Sequence, residues 1–237
     1  MKIKPIKAIV WDLDGTIIHF KIDFIRARRA AIKILKKYGI SKSNLTIKKS
    51  IFENVSTSRD IFKSMGYNTQ KIENIIKKIN GEVSNIEREA AKIATMINGI
   101  DQVLEFASKM NLAQAIYTLN KSENAKISLE KVKLSHYFNF IVGRDNVKNP
   151  KPHPDHLLYI CEKVKVSPSE ILVIGDNSRD IEGALNIGAR SIAIQTKISR
   201  MTDLEIFQKA DEIIKEDEIP SKLIDAIKKF MIYRKKD

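Results

Sequence analysis

Cysteine is almost missing from this chain. Cys161 stands alone among 237 residues, so no disulfide can form within the chain, and a reducing, cytoplasmic setting is expected. Glycine (9) and proline (6) are scarce, and no low-complexity linker or internal repeat breaks up the sequence. No apolar run is long enough to span a bilayer, so no membrane partner is expected. The basic, then apolar N-terminus breaks at Asp12 and lacks a small-residue cleavage site, which argues against a secretory signal. Neither a Gly-x-x-x-x-Gly-Lys-Ser/Thr loop nor a Gly-x-Gly-x-x-Gly fingerprint occurs, so the nucleoside triphosphate and dinucleotide readings fail. Acids are outnumbered, 29 Asp and Glu against 42 Lys and Arg, for a net charge of +13. Such a field attracts anions in general. The lysines are spread along the chain, and no aromatic-basic motif points to nucleic acid.

With 43% hydrophobic and 30% charged residues, the chain can bury a real core as one large domain or a core with a smaller insert. Ile6 to Trp11 is a short, uniformly apolar run and predicts a buried strand. Residues from about 20 to 97 read as helices only. One carries Phe24, Ala27, Ala31, Ile34, Leu35 and Tyr38 behind an Asp23 cap. A second is capped by Ser56-Thr57-Ser58 and runs through Met65. A third follows Thr69 and stops at Gly81, and a fourth runs from Val83 through Ile97. From Ile100 onward helix and strand alternate. Strands are expected at Ala113–Thr118, Phe138–Val142, Ile171–Gly175, Ser191–Ile194 and, at an edge, Ala210–Ile214. Helices are expected at 100–110, 122–134, 155–164, 180–187 and 221–233. The alternation implies a parallel sheet covered by helices on both faces, with the helical segment inserted as a lid over its carboxyl edge.

Candidate chemistry falls at four strand ends. Asp12 and Asp14 are two apart in an extended stretch and project to the same side, just before Gly15 permits a turn. Thr118 ends the second strand, where a hydroxyl and free N–H groups suit a phosphate. Lys151 lies in Asn149-Pro150-Lys151-Pro152-His153-Pro154, held by prolines on both sides. Gly175-Asp176-Asn177-Ser178-Arg179-Asp180 brings a third carboxylate to a strand tip, with Asp180 opening the next helix. Carboxylates so gathered require a hard cation, and oxygen-only ligation suits Mg²⁺.

Asp-x-Asp-Gly-Thr, a strand-end Thr, Lys-Pro-x-Pro and Gly-Asp-x-x-x-Asp, in that order, resemble the four-motif set of the haloacid dehalogenase (HAD) superfamily, most of whose members are phosphatases. Asn98-Gly99-Ile100, Tyr137-Phe138, and Ala184 with Gly188-Ala189 are similar to its phosphoglycolate phosphatase-like branch. The resemblance covers residues 1–20 and about 98–220. It implies an α/β, Rossmann-like parallel-sheet core over 1–19 and 98–237, with a helical cap at 20–97. It further implies that Asp12 is the nucleophile and a metal ligand, and that Asp14 is the acid and base, with its carbonyl on the metal. Thr118, Leu119, Asn120 and Lys151 would meet the phosphate. Asp176 would ligate Mg²⁺, and Asp180 would orient Lys151. The expected substrate is a small phosphorylated metabolite, and the protein a monomer or homodimer. Because Asp14 is present, a phosphate leaving group is favoured over a halide.

Two departures bear on specificity. Leu119 intervenes between Thr118 and Asn120, where the branch usually has Asn directly after the Thr or Ser. His19 and Phe20 stand where the branch often has Asp-Ser, so the substrate range is expected to differ from phosphoglycolate. A phosphomutase of the same superfamily and a non-catalytic phosphoprotein- or nucleic-acid-binding module are the alternatives. His153 and His156 read as solvated loop histidines, Arg59 as a surface arginine, and Trp11 as core.

Overall fold

The structure is a computed structural model. It describes residues 2–19, 22–197, 203–232 and 234–235. Phe20 lies outside them, as does Tyr233 at the expected end of the last helix. The chain forms two compact units, Met1–Phe20 with Ile93–Asp237, and Lys21–Lys92.

The first unit is built on a six-stranded parallel sheet. Its strands are β1 (Ala8–Trp11), β2 (Ala113–Tyr117), β3 (Phe140–Val142), β4 (Ile171–Gly175), β5 (Arg190–Gln195) and β6 (Glu212–Lys215). Their spatial order is β3-β2-β1-β4-β5-β6. β1 and β4 are buried at every position, which explains why both read as unbroken apolar runs. Alternate residues feed two cores. Ile9 and Trp11 pack with Ile116, Ile174, Val103, Leu104 and Ile227, whereas Ala8 and Val10 pack with Ala115, Val173, Leu157, Ile160 and Ala184. The expected Rossmann-like architecture, with helices on both faces, is what forms. Trp11 is core, as expected, and its indole N–H donates to Gln114 Oε1 at 3.0 Å.

The second unit holds α1 (Phe24–Lys37), α2 (Ile51–Ser64) and α3 (Thr69–Ala91). Ala31, Leu35, Phe62, Ile72, Ile75 and Ile79 form its core. The expected start of α2 at Ser56-Thr57-Ser58 is corrected. A capping box formed by Ser50 and Glu53 starts the helix at Ile51, its cap six residues before Ser56, and Ser58 donates back to the Asn54 carbonyl at 2.7 Å. Gly81 does not end a helix. Residues 69–91 are one helix of 23 residues, in which glycine costs about 1 kcal/mol that the long apolar stripe outweighs. The fourth helical pattern also stops early. Thr95–Met96 pair antiparallel with Ile18–His19, which places residues 93–97 in the first unit.

Candidate active site

The register of the sheet assembles the acids. Trp11 lies opposite Ile116 on one side and Ile174 on the other. The next residues, Asp12, Tyr117 and Gly175, therefore reach the same level at the carboxyl edge, where open parallel sheets bind ligands. The sheet's helices include α4 (Ile100–Lys109), α5 (Ser122–Lys131), α6 (Pro154–Val164) and α7 (Ser178–Ile187); Lys151 lies in the loop between β3 and α6, and Asp180 in the first turn of α7 after β4.

Lys151 is the hub. It is 7% exposed, and its Nζ donates to Asp12 Oδ1, to Asp180 Oδ1 at 2.8 Å and to the Tyr117 carbonyl at 2.9 Å. Asp180 serves twice. Its other oxygen accepts the Asn177 N–H at 3.0 Å and closes a capping box on α7. A helix-capping acid and a lysine-orienting acid are here the same residue.

Carboxylate oxygens of Asp12, Asp176 and Asp180 all lie within 4.8 Å of one another, and all three residues are buried. Asp14 is outside this group; its Oδ2 accepts the Asn120 amide N–H at 2.8 Å. Thr118 is fully buried, and its hydroxyl oxygen accepts the Asn120 backbone N–H at 3.0 Å. Leu119 is half-buried, and its carbonyl accepts from Arg144. The displaced asparagine of the second motif thus reaches the site through Asp14.

Three buried carboxylates share one ammonium, and the electrostatics follow. Burial pushes Asp12 up, against the pull of Lys151. Burial, then the Asp12 and Asp180 charges, pushes Asp176 up to about 8. Burial alone would push Lys151 down, but Asp12 and Asp180 hold it well above the usual lysine range. Lys151 therefore stays charged, and any proton the cluster takes up is shared by the acids. The oxygen-only donors of Asp12, Asp176 and Asp180, with their surplus negative charge, have the chemistry to hold a hard divalent cation.

This has a measurable consequence for stability. An acid with a raised pKa keeps its proton in the folded state where the unfolded chain has lost it, so stability falls as pH rises toward the folded value. His156 acts in the opposite sense, but lower. Burial pushes it down to about 4, so it costs stability only as pH falls below its ordinary value of about 6.5. Between pH ~6.5 and ~8 the acids dominate. Metal-free protein should melt at a lower temperature at the upper end of that window, and a saturating divalent cation should remove the difference. Equal melting temperatures for the chelated protein at both ends would contradict the shifts.

Gly15 permits the cluster to close. Its φ is +86°, and an added Cβ would lie 2.2 Å from Asp176 Oδ2. Gly15→Ala should cost about 1–3 kcal/mol of stability in urea titrations and weaken divalent-cation binding by displacing Asp176. Unchanged stability and unchanged affinity together would show that neither constraint operates.

Several neighbours were not legible as site residues. Thr16 and Thr196 place hydroxyls 3.5 Å from Asp12 Oδ2 and Asp176 Oδ2. Tyr117 contributes its backbone carbonyl, which no side-chain pattern reveals. His156 is a correction: it is fully buried rather than solvated, because Pro154 starts α6 and turns position 156 inward. His153 does stay half-exposed as the N-cap of that helix. Arg59 is a surface residue paired with Glu73 at 2.7 Å.

Comparison with known proteins fits this arrangement. Residues 9–194 match the family described as haloacid dehalogenase-like hydrolase. N-acetylmuramic acid 6-phosphate phosphatase of Pseudomonas aeruginosa is 24% identical over 231 residues, covering 96% of this chain and 97% of that protein. Phosphoglycolate phosphatase of Escherichia coli is 38% identical over 66 residues, 28% of this chain and 26% of the relative. The crystal structure of β-phosphoglucomutase from Clostridium difficile shares the fold, with a TM-score of 0.62 at 20% identity over 94% of this chain and 96% of that one. The four strand-end motifs, the parallel sheet that gathers them and the matched span agree, and the chain belongs to the haloacid dehalogenase-like hydrolases.

Proposed function

We propose that this hydrolase is a Mg²⁺-dependent phosphatase of small phosphate monoesters, working through an aspartyl phosphate on Asp12. The observation that carries this reading is the shared ammonium. Lys151 bridges Asp12 and Asp180 while Asp176 stands within 4.8 Å of both. Phosphoryl transfer needs positioning and charge neutralisation above all, and this cluster supplies both. The names of the curated relatives, phosphatases of phosphoglycolate and of N-acetylmuramic acid 6-phosphate, support the substrate class.

Asp12 attacks phosphorus through a carboxylate oxygen, forming the P–O bond as the ester oxygen departs. Asp14 gives the departing oxygen its proton. The Asn120 hydrogen bond on Oδ2 holds the Asp14 carboxyl group in place for that transfer. In the second step Asp14 takes a proton from water, which attacks the acyl phosphate and releases inorganic phosphate and free Asp12. Thr118 and the Leu119 N–H hold the phosphoryl oxygens, and Lys151 offsets the charge that builds on them and on Asp12. Asp12, Asp176 and the Asp14 carbonyl would hold Mg²⁺, which would supply Lewis-acid charge stabilisation. Asp180 keeps Lys151 aimed. The inserted helical unit acts as the cap and sets the substrate range. The protein acts in the cytoplasm, as a monomer or homodimer.

The test is a phosphate-release screen over phosphorylated metabolites and an aryl phosphate, with Mg²⁺ or with chelator. Hydrolysis should appear with Mg²⁺ and vanish on chelation. Hydrolysis indifferent to chelator would remove the metal role. Isomerisation of a hexose phosphate without release would reassign the protein as a mutase.

A further inference from the structure

His156 is a buried titratable ring that the chemistry above does not use. Its Nε2 lies 3.0 Å from the Val142 carbonyl at the end of β3, and its Nδ1 accepts the Lys151 backbone N–H at 3.2 Å. A carbonyl can only accept, so the ring is the neutral tautomer with its proton on Nε2. It also meets the Tyr117 ring edge-on, with centroids 4.5 Å apart. Tyr117 in turn holds the other end of the lysine. Its carbonyl accepts from Nζ at 2.9 Å, and Nζ stands 4.5 Å from its ring centroid. Gly183 leaves room for this stack, since a Cβ there would lie 2.4 Å from the Tyr117 hydroxyl oxygen.

We propose that His156 is a positioning residue: a neutral strut from Val142 that fixes the root of Lys151 while Tyr117 fixes its tip. A leucine would fill the same space without the cost of burying a polar ring. Both hydrogen bonds of the ring run along one path, from β3 to the lysine. Lysine is long and flexible, so anchoring both ends removes orientations in which the ammonium misses Asp12 and Asp180. The assignment rests on the phosphatase reading for its effect on turnover, but the strut itself is testable without it.

The experiment compares wild type, His156→Leu and His156→Asn in the full chain. His156→Asn restores an acceptor close to the Nδ1 position. With p-nitrophenyl phosphate and Mg²⁺, His156→Leu should lower kcat roughly 10- to 100-fold with KM little changed, and His156→Asn should recover most of the loss. A core-filling role gives the reverse order: the apolar leucine keeps kcat and the asparagine loses it. Independently of turnover, amide exchange at Lys151 should speed up roughly tenfold in His156→Leu and be restored in His156→Asn. Nitrogen NMR of the wild-type ring should show the proton on Nε2. A proton on Nδ1, or Lys151 exchange unaffected by the leucine, overturns the proposal whether or not the variants are active. Failure of wild type to release phosphate from any ester would sink the phosphatase reading alone.

Discussion

Asp12→Asn should abolish turnover while leaving the fold intact. An amide oxygen is a poor nucleophile and cannot form the acyl phosphate, so kcat should fall by about a thousandfold or more. The structure explains why the fold should survive. Lys151 keeps its bonds to Asp180 at 2.8 Å and to the Tyr117 carbonyl at 2.9 Å, so no buried cation is stranded. Burial first, and then neighbouring carboxylates, push Asp12 and Asp176 up, so removing one acid relieves the cluster. The melting temperature of the metal-free variant should therefore hold or rise. Turnover within a factor of about ten of wild type would take the nucleophile role away from Asp12.

Lys151→Met should fail in both respects. Methionine matches the length of the side chain but leaves Asp12, Asp176 and Asp180 buried together without their cation. Breaking such a buried network costs about 3–5 kcal/mol while the acids remain ionised. Lys151 lowers the folded-state pKa values of Asp12 and Asp176, so without the ammonium these rise further and the variant takes up protons on folding. The deficit relative to wild type should be largest near pH 8 and shrink as pH falls and the acids protonate. Both proteins carry His156, so its opposing titration cancels in the difference. A divalent cation should rescue part of the stability but little of the activity, because charge on the transferring phosphoryl group would still lack its partner. Paired urea titrations at two pH values, with turnover measured on the same samples, check this. A variant as stable as wild type at pH 8 would show that the three acids do not depend on Lys151.

Much of this site was legible because strand ends are punctuated by short polar motifs. Asp12, Asp176 and Asp180 come together because strands far apart in sequence are neighbours in the sheet, and apolar run length alone located those strands. Thr118 and Asn120 were also placed at a strand end, although the Asn120 contact with Asp14 required coordinates. Local sequence signals mislead where two of them compete. Ser56-Thr57-Ser58 looks like a cap, but Ser50 with Glu53 makes the better one, and hydroxyls inside a helix can bond back to its own carbonyls. Gly81 looks like a stop, yet α3 continues because Ile72, Ile75, Ile79 and Ile86 bury a continuous stripe. Two-residue strands such as Ile18–His19 and Thr95–Met96 are too short to show any period. Backbone contributions, such as the Tyr117 carbonyl on Lys151, carry no side-chain signature at all.

The most direct measurement is to find where the phosphoryl group goes. Wild type and Asp14→Asn, mixed with an aryl phosphate and Mg²⁺ and quenched in acid, should yield a phosphorylated peptide that maps to Asp12. The label should persist longer in Asp14→Asn, where no base activates water. Turnover that proceeds with phosphate on another residue, or with no phosphoenzyme in either protein, would contradict the role assigned to Asp12 and the cluster built around it.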